Sequence, residues 1–195
     1  MFGGLLYIMQ EIKVNNIIIG KQYKSSENYE EFIKIVKEKK INVKIVEEGE
    51  KVSIEDNLYF DIIWPFSDNM ISDNSINNNS LVCKLNYKNY SMLFTGDIEA
   101  KTENDLVSRY GKKLQSTVLK VAHHGSSTSS TYNFLKAVQP QLALISCGDK
   151  EKYNHPNKKV LGTFEYLQIP VKVTSQNGEI TLRTDGEKYQ IMTDK

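Results

Sequence analysis

Apolar positions at helical spacing over residues 5–12 predict a helix following Gly3 and Gly4. The β-branched run VNNIIIG, residues 14–20, stops at Gly20 and reads as a buried strand. Ser26 reads as the N-cap of a helix over residues 27–40, which sets Tyr29, Phe32, Ile33, Val36 and Lys37 at helical spacing. INVKIVEEG alternates and predicts a strand ended by Gly49; VSI and NLYFDIIWP extend the strand-rich stretch to Pro65. Residues 67–80 are dominated by Asn, Ser and Asp and form a loop, long enough for a functional role to be expected. SLVCKLNYKNYSMLFTGD then reads as a hairpin, with strands over 80–86 and 90–95 and a turn near Tyr87, Lys88 and Asn89. Residues 99–114 predict a helix and 118–122 a short buried strand. Ser129 or Ser130 is placed to cap a helix ending at Val138, with Phe134, Leu135 and Val138 on one face. QLALIS is a further buried strand, residues 157–167 a helix after Pro156, and PVKVT, GEITLRTDG and EKYQIMT three closing strands.

This alternation of strands and helices, with added hairpins, predicts an α/β protein whose sheet faces are covered by helices. No internal repeat or heptad interrupts it, so residues 1–195 are expected to form a single domain with a sizeable core.

Composition narrows the function. Lys plus Arg number 25 against 24 Asp plus Glu, which argues against a strongly basic nucleic-acid clamp. Lys112, Lys113, Lys120, Lys158 and Lys159 are the cations that a local patch would draw on, although a solvated face also explains each. Cys83 and Cys147 lie in apolar runs and read as small buried residues, too few for a disulfide framework or a zinc knuckle. No apolar run approaches the roughly 18 residues of a membrane helix, and the N-terminus lacks a leader pattern, so a soluble chain is expected.

The chemistry gathers in three motifs, each just after a predicted strand: TGD at 95–97, AHHGS at 122–126 and YNHP at 153–156. The chain has three histidines, His123, His124 and His155, and these motifs contain all of them. Ligands of open α/β sheets bind beyond the carboxyl ends of strands. Neutral imidazole is a common metal ligand, and a carboxylate such as Asp97 is able to bridge two metals about 3.5–4 Å apart. Each motif also has a plain structural reading: a strand-end turn, a packed histidine, a helix start. Side chains alternate along a strand, so of two adjacent histidines one is expected to face the site while the other packs or donates a hydrogen bond. No Gly-rich phosphate loop, serine elbow or Cys-x-x-Cys pair competes with these motifs.

With NNNSLVCKLNYKNYSMLFTGDIE, LKVAHHGSSTSS and YNHP in this order, the chain resembles the ComEC-type branch of the metallo-β-lactamase fold, the soluble part of DNA-internalisation competence proteins. Some members of that branch are joined to membrane helices. The resemblance implies an αββα sandwich, two mixed sheets face to face with helices outside, and a dinuclear zinc site, with manganese an alternative. Asp97 resembles the bridging carboxylate and His123 or His124 the late histidine ligand. His155 is placed near the metals as an auxiliary ligand or substrate contact. Asp97, His124 and His155 are the implied catalytic residues. Asn79 and Ser80 match the family's NNxS loop and, with Ser126, Ser127 and Asn154, are the implied substrate contacts; Ser129 joins Ser126 and Ser127 as an implied contact to phosphate oxygens. The implied activity is a phosphodiesterase or nuclease acting on single-stranded DNA in competence-related uptake. The alternatives are a non-catalytic remnant or binding domain of the same fold, or a hydrolase of another ester or lactam. One departure is large. The family's H-x-H-x-D-H signature does not occur in these 195 residues, whose first residues, MFGGLLYIMQ, resemble the stretch that follows it in relatives. The chain is therefore expected to be truncated at its N-terminus, and weak or inactive alone.

Overall fold

A computed structural model describes residues 3–21, 27–66, 70–148 and 154–195. The chain opens with helix α1 (Gly3–Glu11), strand β1 (Asn16–Gly20), helix α2 (Glu27–Glu38) and strand β2 (Asn42–Val46). β1 and β2 pair in parallel through the α2 crossover, and Leu6, Met9, Ile17, Phe32, Ile35 and Ile41 bury their shared face. Ser26, the expected cap of α2, lies outside the described residues.

Next come β3 (Lys51–Glu55), β4 (Leu58–Trp64), the single-turn helix α3 (Ser75–Asn78), β5 (Val82–Tyr87), β6 (Tyr90–Phe94), α4 (Ala100–Tyr110), a 3₁₀ turn over Gly111–Leu114 and β7 (Val118–Lys120). A turn over Ala122–Gly125 leads to α5 (Tyr132–Val138), β8 (Leu142–Ile145), α6 (Lys158–Tyr166), β9 (Val171–Val173), the single turn α7 (Thr174–Asn177), β10 (Ile180–Thr184) and β11 (Tyr189–Thr193).

Strands β3 to β9 make one seven-stranded sheet in which spatial order equals chain order. β3 to β6 pair antiparallel, and β6 to β9 pair parallel. Parallel neighbours need crossovers, and crossovers are right-handed. A sheet that grows steadily in one direction therefore places α4, α5 and α6 on the same face. Alternation along the strands bears this out. Leu93, Leu119, Ala143 and Ile145 pack with Leu106, Phe134, Leu135, Val160 and Phe164. Their strand neighbours Met92, Val118, Leu142 and Leu144 pack instead with Leu182, Tyr189 and Ile191 of the β10–β11 hairpin. The α/β class expected from the sequence holds. The sandwich is helices, then the seven-stranded sheet, then a second sheet of two strands, β10 and β11.

Several local expectations are corrected. Thr131, rather than Ser129 or Ser130, caps α5, its hydroxyl accepting from the Phe134 amide at 3.4 Å. Cys83 and Cys147 are free and half-buried rather than core residues. The strand expected over 118–122 ends at Lys120, because the chain turns sharply through the two histidines.

Candidate metal centre

The carboxyl ends of β6, β7 and β8 lie side by side, so the loops that follow them meet at one edge of the sheet. The first carries Gly96 and Asp97. Gly96 has φ +53°, and a Cβ there would stand 2.6 Å from the Cβ of Ser80. Only glycine lets the loop approach this closely. Ser80 then accepts the Asp97 amide on its hydroxyl at 3.1 Å. Asp97 is 6% exposed.

The second loop answers the puzzle of the adjacent histidines. His123 (φ 48°, ψ 40°) and His124 (φ 55°, ψ 23°) are both left-handed, and Gly125 follows at φ 80°. Strand alternation therefore does not apply. Two non-glycine residues in this region carry strain of about 1–3 kcal/mol each, a cost that gathers at functional sites. The turn is pinned by the His123 amide donating to the Gly96 carbonyl at 3.0 Å and the Ser126 amide donating to the His123 carbonyl at 2.9 Å. The third loop docks on it: the Asn157 amide donates to the Gly125 carbonyl at 2.9 Å, and Pro156 covers the hydrogen of Gly125.

Both histidines face carboxylates. His124 Nε2 lies 3.7 Å from Asp97 Oδ1, and His123 Nδ1 lies 3.7 Å from Glu99 Oε1. His123 Nδ1 also contacts the Thr128 hydroxyl at 3.4 Å, and its ring centroid is 6.0 Å from that of His155. The His124 tautomer follows from its other nitrogen. Nδ1 sits 2.6 Å from the Ser146 carbonyl, and a carbonyl only accepts, so Nδ1 carries the hydrogen. In the neutral ring, Nε2 then presents a lone pair to a carboxylate oxygen. Two lone pairs at 3.7 Å call for a proton or a cation between them.

This donor chemistry suits a divalent ion, but it supplies only two donors. Among the described residues, no three His, Cys, Asp or Glu side chains come together to hold a metal. The residues present therefore do not complete a metal centre.

His155 is half-buried beside the pair. Burial lowers its pKa below the ordinary value, helped by the charges of His123 and His124 and opposed by the Asn154 backbone and Asp97. Asn154 is exposed at φ +52° and Ser127 is exposed, both free to meet a ligand; Ser126 is buried, its hydroxyl 3.1 Å from that of Thr128. Asn79 is committed to its own loop, bonding the Ile71 amide and the carbonyls of Ile71 and Ser75.

Two residues beside the site, Glu99 and Glu103, escape sequence reading, and a third, Lys120, enters it only as part of a cationic patch. Glu99, two residues beyond Asp97, is held by the Asn74 and Asn78 side-chain amides at 3.0 and 3.4 Å. Lys120 feels the charge of Asp97; burial depresses its pKa, while Asp97 and Cys147 oppose that. Glu103 is fully buried one helical turn after Glu99. Glu99 and Lys120 adjoin motifs that sequence reading singled out, whereas nothing local marks Glu103. Lys112 and Lys113 precede β7 and so lie at the end of that strand away from the histidines; Lys158 and Lys159 begin α6, just after His155. A cavity of about 620 Å³ lies elsewhere, among Glu11, Val14, Asn15, Lys39 and Lys40, and includes none of the site residues. No helix among the described residues is long and apolar enough to cross a membrane.

Comparison with known proteins adds the family. No family model matches the chain. ComE operon protein 3 of Bacillus subtilis is 32% identical over 176 residues, 90% of this chain and 22% of that protein. Competence protein ComA of Neisseria gonorrhoeae is 39% identical over 125 residues, 64% of this chain and 18% of that one. Recombination protein 2 of Haemophilus influenzae is 31% identical over 134 residues, 69% of this chain and 16% of that one. The chain thus spans about a fifth of the length of these relatives. A solved structure from Parabacteroides distasonis, named as a metal-dependent hydrolase, overlays with a TM-score of 0.49 at 10% identity, covering 86% of this chain and 79% of that chain. Over the stretch that it shares with the competence proteins, the chain belongs to their family and is a ComEC-type domain of the metallo-β-lactamase fold.

Proposed function

We propose that the chain is part of a metal-dependent phosphodiesterase or nuclease acting on single-stranded DNA in competence-related uptake, its 195 residues forming a single domain. One observation carries this reading: His124, with its proton fixed on Nδ1 by Ser146, turns a bare Nε2 toward the buried Asp97 at 3.7 Å. Asp97 and His124, with His123 and His155 beside them, are the residues that would meet zinc or manganese. The exposed Asn154 and Ser127, with Ser126, border that edge as substrate contacts. Asn79 and Ser80 serve as scaffold, since Asn79 is engaged within its loop and Ser80 holds the Asp97 amide. Hydrolytic centres keep three protein ligands on a metal. Two donors within reach therefore make this chain weak or inactive alone, and H-x-H-x-D-H is the motif that would supply the rest.

The test compares hydrolysis of bis-p-nitrophenyl phosphate and single-stranded DNA, with zinc or manganese, by this chain and by a chimera placing an H-x-H-x-D-H segment of a family relative ahead of it. Background activity for the chain and turnover for the chimera are expected. A chimera that folds and binds metal without turning over either substrate overturns the hydrolase reading and leaves a binding domain of the same fold.

A further inference from the structure

We propose that Glu103 is the positioning residue of the histidine loop: its carboxylate holds residues 126–131 against α4 and thereby sets where His123 and His124 stand against Asp97 and Glu99. Its side chain is fully buried, with Oε1 accepting the Ser130 amide at 2.6 Å and Oε2 the Thr131 amide at 2.7 Å. Ser130 is itself left-handed, at φ +61°, so the loop is bent to bring two successive N–H groups onto one carboxylate. The same seam is stitched twice more. The Ala100 amide donates to the Thr128 carbonyl at 2.9 Å, and the Ser129 hydroxyl donates to the Ile98 carbonyl at 2.7 Å. The seam thus joins the segment after Asp97 to the segment after His124, the two sides of the site.

No cation is paired with this buried charge among the described residues. The cations on the elements packed against it, Lys101 and Arg109 on α4, Lys112 and Lys113 on the 3₁₀ turn and Lys136 on α5, are exposed; the nearby acids, Glu99 at the N-cap of α4 and Asp105 within it, are half-buried. Burial raises the carboxyl to about 7, against the pull of the Thr131 and Ser130 bonds. The carboxylate accepts both amides. The protonated acid turns one of its oxygens into a hydroxyl, a poorer acceptor, and so weakens one of these bonds. The loop is therefore held more firmly above neutrality than below it.

The inference uses the reading of this loop as a site wall, but its test needs no turnover, so a failed hydrolysis assay leaves it standing. Backbone amide NMR of the full chain, from about pH 5 to about pH 9, follows Ser130, Thr131 and Ala100. A shared midpoint near 7 is expected, and its loss in Glu103→Gln. Flat amides in the native chain, or the same midpoint persisting in the variant, overturn the proposal. If Glu103→Gln does not fold, the carboxyl ¹³C titration of Glu103 in the native chain decides: a midpoint near 7 supports the clamp and one near 4.5 overturns it. A purely structural contact would leave the Ala100 amide, which donates to Thr128 and not to Glu103, unmoved through this range.

Discussion

His123 and His124 owe their orientations to backbone conformation. Two left-handed residues in succession replace strand alternation, and each ring then faces a carboxylate, Glu99 for His123 and Asp97 for His124. Sequence spacing cannot announce such a turn, because histidine is not a residue that demands it; Gly125 is the only local signal. There a Cβ would meet the Pro156 Cβ at 2.8 Å, at φ +80°. Gly125→Ala is expected to cost about 2 kcal/mol or more in urea unfolding and to shift the His155 resonances, since the third loop must move away. Glu103 gives a prediction of opposite kind. Its folded pKa, about 7, stands above the ordinary 4.5, so the folded state keeps a proton that the unfolded chain has released. Its stabilising contribution is complete below about pH 4.5 and is lost as pH rises to about 7, by on the order of 3 kcal/mol. Unfolding midpoints measured across this range should fall with rising pH in the native chain and flatten in Glu103→Gln.

At the scale of elements, periodicity made the strands and helices legible to within a few residues, because each buries one face of regular spacing. The polar loop before β5 was legible as a loop and not as a device. Its asparagines are hydrogen-bonding parts. Asn78, 1% exposed, accepts the Glu99 amide and the Thr102 hydroxyl on its side-chain oxygen, and its carbonyl receives the Trp64 indole. Asn79 closes the loop through Ile71 and Ser75. An amide side chain is equally at home in water, so composition alone could not reveal this. Asn79→Ala is expected to cost about 1–3 kcal/mol. It should also raise hydrogen exchange at the Ile71 amide, which loses its acceptor. Unchanged exchange there would deny the loop this role.

For the whole molecule, the order of strands placed the three motifs on one edge, and this was readable in the alternation of strand and helix. The α/β class followed for the same reason. The number of donors was not readable: three motifs at strand ends suggested a cluster, whereas geometry brings two donors to each other and sets His155 and Glu99 beside His123. A ligand that binds tightly stabilises the folded state in proportion to its occupancy. The chain alone should therefore keep its melting temperature within about 2 °C when a chelator is added, and should lose zinc or manganese on gel filtration. Stoichiometric metal retained through that step would contradict the two-donor count.

The steady progression of the seven strands also bears on assembly. Each strand from β4 to β9 pairs with its predecessor in the chain, so the sheet is able to grow outward from the β5–β6 hairpin one neighbour at a time, with a helix-bearing crossover to close at each parallel step. On this order the edge carrying the histidines is expected to be completed late, since β7, β8 and β9 join after the antiparallel strands.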